Sequence, residues 1–136
     1  MQQSEDGFGL VEVLISMVIF GFIAAASIPL FITSIQVSAR NSSIAHATQM
    51  VNEGIEVARA AAQTGDCTVI STRLAALADG TDPRGIPFDV QGSMTNCNPA
   101  SATNLATVTV TVTTTADGFG SPVATATTQV FVKLGP

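Results

Sequence analysis

The sequence predicts an α+β fold in which a long N-terminal helix packs against a small antiparallel β-sheet of three to four strands. Three observations carry that expectation. An uncharged run extends from Val13 to Ala39, apolar or small residues then recur at steps of three and four from Ile44 to Ala61, and Ala106 to Thr115 alternates valine with threonine. The first two are helical signals and the third is a strand signal.

The uncharged run comes first. Val13 to Ile35 is 23 residues without a charge, and at about 1.5 Å per residue it covers roughly 34 Å, enough for a bilayer core of about 30 Å. A secretory signal opens with positive charge and has a shorter apolar core, whereas Met1 to Gly7 carries Glu5 and Asp6 and no base. The run therefore reads as a membrane span. The nearest base is Arg40, beyond the span, so charge alone does not set its orientation. Glu12 stands at the edge of the run, either as an interfacial charge reaching for headgroups and water or as an acid held for a partner.

Beyond the span the helix becomes amphipathic. Ile44, Ala47, Val51, Gly54, Ala58 and Ala61 share one face, while Gln49, Asn52, Glu53, Glu56, Arg59 and Gln63 mostly occupy the rest. The small residues allow a sheet to approach closely, and Gly65 suits a helix C-cap. One helix, continuous or kinked, is expected from about Phe8 to Gln63.

The remainder is rich in threonine, valine, glycine and proline. In Ala106 to Thr115, Val108, Val110 and Val112 fall on one face and threonines on the other. Val123 to Lys133 is a second strand, and the turn residues Asp117-Gly118-Phe119-Gly120-Ser121-Pro122 between them predict an antiparallel hairpin. Cys67 to Thr72 and Ile86 to Gln91 are further strand candidates, with a helical turn at Leu74 to Ala78.

Cys67 and Cys97 are the only cysteines. A disulfide between them closes a loop of about 31 residues, for which loop entropy gives roughly 3.5 to 4 kcal/mol, and it implies an oxidising compartment. A metal pair is the alternative, but His46 is the single histidine and no further thiol completes a soft ligand set. No metal is expected. His46 lies on the soluble half of the helix, where an exposed or interface role is the simpler reading. Asn41-Ser42-Ser43 matches a glycosylation sequon.

With 136 residues there is room for one small domain. Five bases stand against ten acids and the pI is about 4.4, which argues against bulk neutralisation of phosphates, so no nucleic acid partner is expected. Tryptophan and tyrosine are absent. No Ser/His/Asp, Cys/His or metal constellation can be assembled, so neither enzyme activity nor a cofactor is expected.

Gly7 followed by Phe8, then Leu10, Glu12 and an apolar helix containing Gly21 and Pro29, resembles the type IV pilin family, including the pseudopilins of type II secretion. Gly9 stands where that family usually has threonine or serine, and the leader is acidic where the family's is usually basic. The resemblance implies cleavage after Gly7 by a prepilin peptidase, which also methylates the new amine of Phe8. It divides the chain into a leader (residues 1–7), a transmembrane and filament-core helix (8–36), an amphipathic half (37–65) and a β-rich head (66–136). It also implies a single-pass precursor in the cytoplasmic membrane that becomes part of a cell-surface filament. The partners are then membrane lipid, the inner-membrane assembly machinery, other pilins and further copies of the chain itself.

In such a bundle Glu12 neutralises the Phe8 amine of a neighbour and sets axial register, while Leu10 and the apolar residues after it pack the filament core. Proline removes one helix hydrogen bond and glycine costs about 1 kcal/mol of helicity. The resemblance implies loosening between Gly21 and Pro29 in the filament, against a simple kink of the kind common in membrane helices. Asp79-Gly80-Thr81-Asp82-Pro83-Arg84-Gly85 has the composition of a plain loop, and its two carboxylates also suit the calcium that some pseudopilins hold in their loops. Within the family the alternatives are a pilus subunit and a pseudopilin of type II secretion. From another class, the alternative is a monomeric binding module anchored in a membrane.

Overall fold

The computed structural model describes residues 9–98 and 104–133. Helix α1 spans Leu10–Ala62 and α2 spans Cys67–Ala75; the strands are β1 (Gly80–Thr81), β2 (Pro87–Thr95), β3 (Leu105–Thr113) and β4 (Ala124–Phe131). The strands form one antiparallel sheet in the order β1-β2-β3-β4. The fold is α+β, as the sequence predicts. By contacts the chain divides into two units, Met1–Ala39 and Arg40–Pro136.

In the first unit α1 begins where the Gly9 carbonyl accepts from the Glu12 and Val13 amides, at 2.9 and 3.3 Å. It is apolar on all sides. The large hydrophobic side chains from Leu10 to Val37 are between 42 and 76% exposed, and the most apolar 18-residue window has a mean hydropathy of 2.4 with none of it buried. That segment is long and apolar enough to cross a membrane. The helix continues through Pro29, whose ring nitrogen has no hydrogen to give the Ala25 carbonyl. Nearby hydroxyls add local bonds, with Ser27 donating to the Ile23 carbonyl at 2.8 Å and Thr33 to the Pro29 carbonyl at 2.9 Å.

The second unit holds the core. Ala47, Val51, Gly54, Ala58 and Ala61 are buried and Ile44 is half-buried, while Gln49, Asn52, Glu53, Glu56, Arg59 and Gln63 are exposed. This matches the face drawn from the helical spacing, with Ser43, Ile55 and Ala62 added. Opposite lie Ala106, Val108, Val110 and Val112 of β3, all fully buried. Gly54 sets the closeness of approach, since a Cβ there would lie 2.9 and 3.1 Å from the two Val110 methyls. The outer face of β3 is threonine, and Thr109 and Thr111 hydrogen-bond across to Thr127 and Thr125 at 3.0 and 3.1 Å. β3 runs antiparallel to α1. Val110 meets Gly54, and the segment after β4 returns to the helix end, where the Lys133 amide donates to the Ala62 carbonyl at 3.1 Å.

One element is corrected. Cys67 to Thr72, expected as a strand, is the start of α2. Asp66 caps this helix, accepting from the amide and hydroxyl of Thr68, both at 2.7 Å, and these bonds hold its carboxyl below the usual carboxylate range. The β-branched residues Thr68, Val69, Ile70 and Thr72 favour a strand locally, but the cap and the burial of Ile70 and Leu74, one turn apart, decide for helix. The helical turn expected at Leu74 to Ala78 falls on the end and cap of α2.

The strand expected at Ile86 to Gln91 runs as β2 on to Thr95, with Asp89 to Thr95 pairing with β3 and Pro87 and Phe88 with β1. It does so through Gly92, which leaves room for Leu74: a Cβ at Gly92 would lie 2.8 Å from Leu74 Cδ2. β1 is too short for any alternation to announce it. Its Gly80 lies against Met50, whose Cε would be 2.6 Å from an added Cβ.

Candidate functional site

Gly7 and Phe8 lie outside the described residues, and Glu12 is the first acid after them. Glu12 occupies the first turn of α1, where the helix dipole favours a negative charge. Its carboxylate makes no ion pair or hydrogen bond with any of the described residues, and its backbone carbonyl accepts from Ser16 Oγ at 2.7 Å. It stands four positions after Phe8 in the sequence. Leu10, 76% exposed, is on the same opening turn. Gly21 has nothing within 4 Å of an added Cβ, so no packing inside the chain requires glycine there.

Residues 79–85 form a polar clip. Asp82 is 5% exposed. Its Oδ1 accepts from the amides of Arg84 and Ile86 at 2.8 and 2.9 Å, and its Oδ2 accepts from the Ser43 hydroxyl and from Arg84 Nε, the latter at 3.4 Å. Arg84 Nη2 also donates to Ser43 Oγ. Burial pushes the Asp82 carboxyl upward, but the Ser43 hydroxyl, the two amides and the Arg84 charge outweigh it and hold it down to about 2. Gly85 at φ 81° closes the turn. Both Asp82 oxygens are thus engaged by the protein's own donors, and Asp79 Oδ1 accepts from the Val90 amide at 2.9 Å. The two carboxylates organise the loop and face different partners. Among the described residues no group of three or more His, Cys, Asp or Glu side chains is placed to hold a metal ion.

Ser43 is the buried residue that sequence reasoning placed only in a sequon. Its signal was legible, because it precedes Ala47 by four positions on the buried face. The serine of that sequon is fully buried and bound to Asp82. His46 is half-buried, its ring 6.4 Å from that of Phe88. Cys67 and Cys97 form a disulfide with Cα atoms 5.9 Å apart, tying the start of α2 to the segment after β2. Arg40, the first base after the apolar run, stands 5.8 Å from the ring centre of Phe119 in the β3–β4 connection.

Two kinds of surface result. Residues 10–37 offer apolar side chains in every direction with a single acid at the entrance, on a helix long and apolar enough to cross a membrane. The described exterior of the second unit is mainly polar, with Val57, Leu105 and Phe131 the large hydrophobic side chains exposed on it. Residues 3–28 match the family model for the prokaryotic N-terminal methylation motif, the type IV prepilin-like leader. No curated protein and no solved structure matches the chain.

Proposed function

We propose, from that motif, that the chain is the precursor of a type IV pilin-like subunit, cut after Gly7, methylated on the Phe8 amine and polymerised through its N-terminal helix. The observation that carries this reading is the motif's position. It runs into a helix whose large apolar side chains from Leu10 to Val37 are all exposed. In the precursor, lipid covers them. In the filament, neighbouring copies do, and packing Leu10, Val11, Leu14, Ile15, Val18 and Phe22 supplies most of the assembly energy.

Cleavage creates a positive amine on Phe8 about one turn from Glu12. Within one subunit that pair is local. Between subunits, in a low-dielectric bundle, Glu12 neutralises the amine of a neighbour, and misregister leaves both charges buried and unpaired. Glu12 therefore fixes axial register. The mature subunit then begins at Phe8, membrane-held first and part of a surface filament afterwards. Its partners are the prepilin peptidase, the inner-membrane assembly machinery and other pilins.

The test is incorporation of a Glu12→Ala subunit expressed beside wild type. Strong exclusion from sheared filaments, with normal amounts in the membrane, is expected. Incorporation equal to wild type would remove the register role, and a chain that stays monomeric in the membrane under all conditions would support an anchored binding module instead.

A further inference from the structure

Two features lie at opposite ends of the sheet in the second unit. At one end, Leu105 of β3 stands directly across from Phe131 of β4. Along with Val57, these are the exposed large hydrophobic side chains among the described residues of that unit, Phe131 at 59% and Leu105 at 37%. Lys133, two residues beyond Phe131, is exposed and is the single lysine of the sequence. Strand alternation puts Leu105 and Phe131 on the outer face, and across an antiparallel pair such side chains touch. The result is an aromatic, basic tip beside the end of α1.

At the other end lies an open groove of about 730 Å³ lined by Asp79, Pro87, Phe88, Asp89, Thr113 and Ser121 among others. Asp79 and Asp89 are exposed acids, and no base lines the groove. It sits beside the Ser43–Asp82–Arg84 clip, toward the start of this unit's helix. From Leu105 to Thr113 the strand rises about 27 Å at ~3.4 Å per residue, so tip and groove of one subunit cannot meet.

We propose that the Leu105–Phe131–Lys133 tip of one subunit docks in the Asp79–Asp89 groove of the next copy. Phe131 covers Pro87, which is exposed, and the Lys133 ammonium meets the two carboxylates. Charge complementarity selects the occupant, since the only lysine lies at one pole and an acidic, apolar groove at the other. A contact between opposite poles is heterologous, and when repeated it makes an open array rather than a closed dimer. That is the geometry a helical filament requires. The inference rests on the polymer reading above and adds to it a second contact, independent of the apolar helix.

Carbodiimide cross-linking of purified filaments tests it, because the reagent condenses an amine with a carboxylate only where they touch. The expected product is a peptide pair joining Lys133 to Asp89 or Asp79, between subunits by the distance just given. In parallel, Lys133→Glu is expected to reduce filament yield severalfold and Asp89→Lys to do the same, with the combined reversal restoring yield. Both positions are exposed, so membrane levels and the Cys67–Cys97 bridge should be unchanged. Wild-type filaments in which Lys133 links only to other carboxylates, or a combined reversal no better than its parts, would overturn the docking and leave the helix-driven polymer standing. Absence of filaments from wild type would overturn both.

Discussion

The two halves of α1 are one helix with two kinds of partner. Before Ala39 its large, branched and aromatic side chains point in every direction and are exposed within the chain. After Arg40 the buried stripe is narrow and made mainly of small residues, with Ala47, Ala58 and Ala62 fully buried. The difference follows from where the partner comes from. A sheet of the same chain sits on one side at a fixed short distance, so small residues on one stripe suffice. On the function proposed, lipid and neighbouring copies would surround the other half, so apolar area is needed all round, with no single close approach to build for. Side-chain size and angular spread thus report whether a helix's partner is internal.

The comparison can be broken or sharpened by changes confined to one half. Removing the disulfide by Cys67→Ser with Cys97→Ser should act on the second unit alone, costing about 3.5 to 4 kcal/mol in a denaturant titration of the full chain in detergent. The apolar helix should keep its far-ultraviolet signal. Next, Gly54→Val forces a side chain onto Val110, already 2.9 Å from a bare Cβ, and should cost about 1 to 3 kcal/mol through overpacking. A neutral result would mean that α1 does not need close approach to β3.

Gly21→Ala is the matching change in the first half, and its sign is opposite. Open space surrounds it, so alanine should add about 1 kcal/mol of helicity without moving the melting of the second unit. In filaments it should resist the loosening proposed between Gly21 and Pro29, read as a higher force for extension.

The smallest effect is acid sensitivity. The Asp82 carboxyl is held down to about 2, so its contribution is fully present above the ordinary carboxylate value near 4 and is lost as pH falls from there through about 2. The unfolding midpoint of the second unit should fall across that window. Asp82→Asn should flatten the slope in part, because Asp66 is also shifted down.

Much of this was legible in residue spacing. The period of three and four from Ile44 to Ala61 marked the buried stripe, and the Val-Thr alternation marked β3, because both signals repeat over enough residues to outweigh local exceptions. Cys67 to Thr72 misled because its β-branched side chains are local evidence, whereas the deciding Asp66 cap is a single residue and the packing of Ile70 and Leu74 is tertiary. The Ser43–Asp82–Arg84 clip joins positions about forty apart in sequence, which no local pattern encodes. In the first half the entrance motif was readable because it is contiguous in sequence, and residues 3–28 match the family model for the prokaryotic N-terminal methylation motif.

The central claim is that this entrance is processed, and the mass of the native N-terminus tests it most directly. Protein purified from its own membranes or filaments should begin at Phe8 and carry one added methyl group on the amine. A chain still beginning at Met1, or cut anywhere other than between Gly7 and Phe8, would contradict it.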